Sequence, residues 1–213
     1  MPRSSAPRPT LVLFVRHGHT ATTGKVLPGR AKGLHLDDAG RAQAQAVADR
    51  LAGLPSVDAI YASPLERARE TAAPIAAGRG LKVVVDKGLL ELDIGEWTGD
   101  ELKVASRRPE WKAVQTYPSG FRFPGGESFV EMQARMVATV GRIRAAHAGQ
   151  TVVAVSHADP IKAAVGHAMG AHLDLFQRFA VSPCSVSAVS YGQGGPMVLS
   201  VNSVGDLKSL RPS

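Results

Sequence analysis

Two short runs, residues 11–15 (LVLFV) and 151–155 (TVVAV), constrain this chain more than any other feature. Both are strand-length and almost wholly apolar. A half-buried strand alternates apolar with polar residues, whereas a run without alternation belongs to a strand covered on both faces. Helices are the elements that supply such cover, and the sequence provides them between the runs. Residues 38–51 (DAGRAQAQAVADRL) form an alanine-rich helical stretch that Asp37 or Asp38 can cap. A second strand is read at 57–62. Ser63-Pro64-Leu65-Glu66 follows, combining a capping box with proline at the first helical position, which starts a helix there and puts Arg67 in its first turn. Pro74 is expected to kink or end that helix, and residues 82–85 read as a third strand.

Residues 89–126 hold both tryptophans and several glycines and prolines, and read as short helices and loops. From Phe129, the apolar positions Met132, Met136, Val137, Val140 and Ile143 recur at helical spacing, giving an amphipathic helix that ends near His147. After the strand at 151–155, residues 160–169 are helical and 186–191 with 197–201 form a closing strand pair. Alternating strands and helices define an α/β class: a mostly parallel central sheet with helices on both faces and a small cap region at about 92–127. One domain is expected over 10–204, between disordered tails at 1–9 and 205–213.

Charge narrows the partners. The net +7 is partly terminal: Arg3 and Arg8 give +2 at one end, and Lys208 and Arg211 against Asp206 give +1 at the other, leaving +4. With no Lys/Arg run and few aromatics, nucleic acid is not an expected partner, and a small anionic substrate fits better. No apolar run is long enough for a membrane span or a signal-peptide core, so a cytoplasmic protein is expected. Cys184, the single cysteine, excludes an internal disulfide and reads as a buried inert thiol.

In open α/β sheets, ligands bind beyond the carboxyl ends of the strands. Arg16 and His17 follow the first strand, Arg67 opens the helix after the second, Glu91 follows the third, and His157 follows the fourth. Each has an ordinary structural explanation taken singly. Together they place two arginines, two histidines and a carboxyl on one edge, a set suited to a phosphate dianion.

The residues at that edge carry a family resemblance. VRHGHT resembles the signature of the histidine phosphatase superfamily, the phosphoglycerate-mutase-like fold. LPGRAKGLHLDDAGRAQA resembles the segment that follows it, YASPLERARETA the S-x-L-x-R-A-x-x-T-A block, and LLELDIGEWTG the L-x-E-x-x-x-G-x-W-x-G block. FPGGES resembles P-x-G-E-S and VVAVSHADPIKA the V-x-H-x-x-x-I block, all in the family's order from Leu11 to about Ala164. The resemblance implies that His17 is the nucleophile, forming a phosphohistidine. It implies that Arg16, Arg67 and His157 hold the phosphoryl oxygens and that Glu91 protonates the leaving oxygen, with no metal and no cofactor. Thr23 stands where relatives carry a polar residue near the phosphate, and Ala158 would offer its backbone amide. His19 stands where relatives often have an acidic residue and reads as a rim residue. Relatives are often dimers, which leaves a homodimer open.

The direct passage from the cap into residues 123–128 (FPGGES) resembles the phosphatase branch, implying hydrolysis of a small phosphomonoester. A phosphoglycerate-type phosphomutase is the alternative, and a non-catalytic phosphate-binding module is a third. A metal hydrolase finds little support, because no Asp, Glu or Cys set with ligand spacing accompanies His17 and His19. Arg30, Lys32, Arg107, Arg108, Lys112 and Arg122 are candidates for contacting a second anionic group of the substrate.

Overall fold

A computed structural model describes residues 8–205. The expected terminal tails lie outside the described residues, apart from Arg8, Pro9 and Gly205. Six described strands form one sheet: β1 (Thr10–Arg16), β2 (Ala59–Ala62), β3 (Val83–Val85), β4 (Thr151–Ser156), β5 (Val186–Gly192) and β6 (Gly195–Ser203). Their order is β3-β2-β4-β1-β5-β6. The first four are mutually parallel, while β5 lies antiparallel to β1 and β6 antiparallel to β5. Six described α-helices accompany them: α1 (Asp38–Ala52), α2 (Glu66–Ala77), α3 (Leu102–Ala105), α4 (Trp111–Thr116), α5 (Phe129–Ala146) and α6 (Ala158–Ala168).

The apolar run of β1 is divided between two cores by the strand's period of two. Leu11, Leu13 and Val15 face one cluster with Val47 and Leu51 of α1 and Ala68, Ala72 and Ile75 of α2. Val12 and Phe14 face the other, with Met136 and Val140 of α5 and Ile161 and Val165 of α6. Both faces are therefore covered, which is why every apolar position of the run is buried. Among the described residues no helix is long and apolar enough to cross a membrane.

Segment 92–127 contributes to a third cluster, in which Leu92, Ile94, Val114 and Phe123 surround Trp97 and meet Phe129 and Met132 of α5. Trp97 stacks on Trp111 at 6.4 Å and carries the Arg108 guanidinium 4.7 Å from its ring centroid.

Two local expectations are corrected. The helix after β2 begins at Glu66, with Leu65 at its cap and no side-chain capping bond, so Pro64 precedes the helix instead of opening it. The Ser63 hydroxyl lies 3.4 Å from Leu65 N and 2.8 Å from His157 Nε2, so its stronger partner is a histidine across the sheet. Pro74 does not end α2, which continues to Ala77. Its missing N–H removes one backbone bond in the last turn, while Ile75 and Ala76 beyond it are buried in the core. Asp37 caps α1, as the sequence reads, by accepting from Gly40 N; α5 starts at the expected Phe129 behind a reciprocal capping box of Ser128 with Glu131, and α6 starts at Ala158, ahead of the expected residue 160.

Candidate active site

Because β1, β2, β3 and β4 are parallel, their carboxyl ends share one edge. His17 follows β1, and its N–H donates to Ser156 O on β4 at 2.9 Å. Beyond it the chain passes so close to α1 that a Cβ on Gly18 would stand 2.6 Å from Gly40 O, and one on Gly40 would stand 2.0 Å from His19 O. Only glycine permits that approach. Gly40→Ala is expected to cost about 1–3 kcal/mol through overpacking and to displace the His17 loop, seen as a lower melting temperature together with lower activity. Unchanged values for both would show that the contact relaxes freely.

His17 is 5% exposed. Its Nδ1 lies 2.8 Å from Gly18 O. A carbonyl only accepts, so Nδ1 carries the proton and Nε2 keeps its lone pair. Burial, with the positive charges of Arg67 and Arg16 behind it, pushes the ring's pKa down to about 3. The imidazole is therefore neutral across the physiological range, with a free nitrogen inside a positive field. His157, at the N-cap of α6, meets His17 edge-on with ring centroids 5.1 Å apart. Burial holds its pKa well below the usual histidine value, aided by His17 and the two arginines.

Arg67 is fully buried, and its guanidinium donates to Gly29 O at 2.8 Å and Ala31 O at 3.3 Å. Arg16 donates from Nη1 to Val181 O at 2.7 Å. Among the described residues neither arginine has an ion-pair partner within 4.0 Å. Burial lowers both pKa values, yet a guanidinium stays charged in proteins. Leaving a buried charge without a counterion is costly. Among the described residues, three buried nitrogens beside His17 also lack any hydrogen-bond partner: Arg16 Nε and Arg67 Nε, which are donors, and His157 Nδ1, which is one when Nε2 accepts from the Ser63 hydroxyl. An oxyanion supplies both the missing charge and the missing acceptors.

Glu91 sits half-buried in the loop beyond β3, its Oε1 accepting from Leu92 N at 3.0 Å. Burial raises its pKa to about 7, Asp159 in the first turn of α6 adds to the rise, and Arg67 and Arg16 oppose it. The carboxyl can thus carry a proton near neutrality and release it.

The remaining sequence candidates are placed as follows. Thr23 closes a turn, where Oγ1 accepts from Thr20 N at 2.9 Å and lies 3.0 Å from Thr20 Oγ1. Ala158 is the first residue of α6, so its amide belongs to the helix N-terminus. His19 is turned toward Asp37, Nδ1 to Oδ2 at 2.6 Å. Arg30, Arg108 and Arg122 are tied to Glu127, Asp100 and Glu131 respectively. Cys184 is buried, and burial pushes its thiol up to about 12. Among the described residues no group of three or more histidine, cysteine or acidic side chains could hold a metal ion.

Three supporting residues escape sequence reasoning. Ser63 faces His157, Thr71 Oγ1 accepts from Gly18 N at 3.0 Å, and the Val181 carbonyl anchors Arg16. Ser63 and Thr71 do lie within the quoted YASPLERARETA block, but nothing in that string marks hydroxyls that reach across the fold. A backbone carbonyl leaves no sequence signal at all.

Over 207 residues the chain is 35% identical to the bifunctional protein Rv2228c of Mycobacterium tuberculosis, covering 93% of this chain and 55% of that one. The chain thus spans about half the length of that relative. It is 32% identical over 196 residues to phosphoserine phosphatase 1 of Hydrogenobacter thermophilus, covering 90% and 91% of the two chains. It is also 32% identical over 205 residues to the probable phosphoglycerate mutase GpmB of Cronobacter sakazakii, covering 93% and 94%. Among solved structures, mycobacterial glucosyl-3-phosphoglycerate phosphatase Rv2419c superposes with a TM-score of 0.83 at 25% identity, covering 92% of this chain and all of that one. The model of the histidine phosphatase superfamily (branch 1) matches residues 12–204, from β1 through β6, and so spans every group gathered at the sheet edge. The chain belongs to that superfamily.

Proposed function

We propose that this chain is a metal-independent phosphomonoester hydrolase, and that the observation carrying this reading is the ring of unpartnered buried donors around a neutral His17. Arg16, Arg67 and His157 receive the phosphoryl oxygens. His17 Nε2 attacks phosphorus, forming the N–P bond as the P–O bond to the leaving group breaks, and Glu91 gives its proton to the departing alkoxide. Water then attacks the phosphohistidine, Glu91 takes the proton back, and inorganic phosphate leaves with His17 restored. The fixed positive groups stabilise charge on the transferring phosphoryl without reorganising, which is where phosphoryl transfer gains most. Thr23 Oγ1 and the Ala158 amide are assigned as further phosphate contacts.

Phosphoserine phosphatase 1 and glucosyl-3-phosphoglycerate phosphatase are named for small phosphomonoesters, and a substrate of that size is proposed here. The similarity to a probable mutase keeps transfer to a second hydroxyl as the competing outcome. Against it, Arg30, Arg108 and Arg122 already have carboxylate partners, so fewer cap cations remain to retain a bisphosphate. The test is a phosphate-release screen over a panel of phosphorylated metabolites in the presence of a chelator. Metal-independent release of inorganic phosphate is expected. Isomerised phosphoester without free phosphate would establish the mutase, and no turnover on any member would establish a binding module.

A further inference from the structure

Glu91 has little to hold it. It lies between two short 3-10 turns, Lys87–Leu89 and Gly95–Trp97, and among the described residues its carboxyl accepts only from the amide of its own neighbour. The order comes from the backbone. Arg30 Nε donates to Glu91 O at 2.8 Å, and Arg135 of α5 donates to the same oxygen at 3.4 Å. Arg135 also donates to Gly88 O at 2.8 Å and Leu90 O at 2.9 Å, and forks onto Glu127 with two bonds of 2.9 Å. All five of its N–H donors are thereby engaged. Glu127 joins the two arginines: Arg30 Nη2 reaches its Oε2 at 2.9 Å, Asp93 N donates to it at 3.2 Å, and Glu127 N donates to Asp93 O at 2.8 Å.

We infer that Glu127, acting through Arg135 and Arg30, is a positioning residue that aims Glu91 at the leaving oxygen; the inference rests on the reading of Glu91 as proton donor. Two guanidinium groups converging on one carbonyl fix the Cα from which the acid projects. The same network ties the acid to the phosphate pocket. Arg67 holds the carbonyls of Gly29 and Ala31, the residues on either side of Arg30, and α5 packs against α6, which His157 caps. Proton transfer needs hydrogen-bond reach, and misplacement by about 1 Å costs on the order of 10²-fold.

The test compares single-turnover release of the alcohol from propyl phosphate and from 4-nitrophenyl phosphate, whose leaving group needs no proton. Glu127→Gln and Arg135→Lys are expected to slow the propyl ester about 10²-fold while changing the nitrophenyl ester by less than about threefold. Arg30→Lys, at a more exposed position that endangers folding less, is expected to show the same bias in smaller measure. Equal losses on both esters in these variants, with Glu91→Gln keeping its bias, would reduce Glu127 to a structural brace and overturn the inference alone. A Glu91→Gln variant without leaving-group bias would overturn both the inference and the assignment of Glu91.

Discussion

Replacing His17 with alanine is expected to abolish turnover and phosphoenzyme together while leaving phosphate binding intact. In the proposed mechanism the attacking lone pair belongs to His17 Nε2, because its Nδ1 is committed to Gly18 O at 2.8 Å, whereas the neighbouring imidazole of His157 has its Nε2 engaged with the Ser63 hydroxyl. Loss of a catalytic nucleophile lowers kcat by roughly 10⁶-fold where it has been measured. The proposed oxyanion donors Arg16, Arg67 and His157 are separate residues, so the variant is expected to bind inorganic phosphate or vanadate still. Rapid quench with labelled phosphoester, followed by mass spectrometry under alkaline conditions, reads the acid-labile phosphoryl group on His17 directly. Label retained in His17→Ala, or a kcat reduced less than about 10²-fold, would move the nucleophile elsewhere.

That site was legible in the sequence to the extent that chemistry follows backbone topology. The apolar run of β1 announces a strand buried on both faces, a parallel sheet puts successive carboxyl ends on one edge, and residues just past those ends are then neighbours without any contact being known. This logic gathers Arg16, His17, Arg67 and His157 at one edge as candidates, and β1, β4, α1 and α5 lie within a residue or two of their expected limits. What stayed hidden is what depends on a side chain choosing between partners. Ser63 reads as a helix cap because serine before proline and glutamate ordinarily is one, and only the fold brings His157 within 2.8 Å to claim its hydroxyl. Arg30 reads as a free cap cation for the same reason: a guanidinium advertises charge, while the Glu127 carboxylate and the Glu91 carbonyl that engage it lie 97 and 61 residues away in the chain.

Glu91→Gln is expected to separate the two halves of the reaction by leaving group. Glutamine keeps the shape and can still accept from Leu92 N, but it has no proton to give at the required acidity, and general acid catalysis contributes about 10²- to 10⁴-fold. The first step on an alkyl ester should fall by that amount. On 4-nitrophenyl phosphate the first step should persist, giving a burst of nitrophenolate followed by slow turnover, because hydrolysis of the phosphohistidine still needs a base to take the proton from water. The pH dependence has a definite sign. Burial and Asp159 raise Glu91 to about 7, and the acid works only while protonated, so kcat/KM for alkyl esters should decline above that pH, whereas His17, held near 3, imposes no acid limb at neutrality. A bound phosphate dianion adds negative charge beside the carboxyl and moves its pKa higher still, so the decline in kcat should lie at higher pH than the decline in kcat/KM. In Glu91→Gln the alkaline limb should vanish. An alkyl-ester profile flat to about pH 9 in the unsubstituted enzyme would exclude Glu91 as the acid and leave Asp159, the nearby carboxyl whose pKa burial also raises, as the group to examine next.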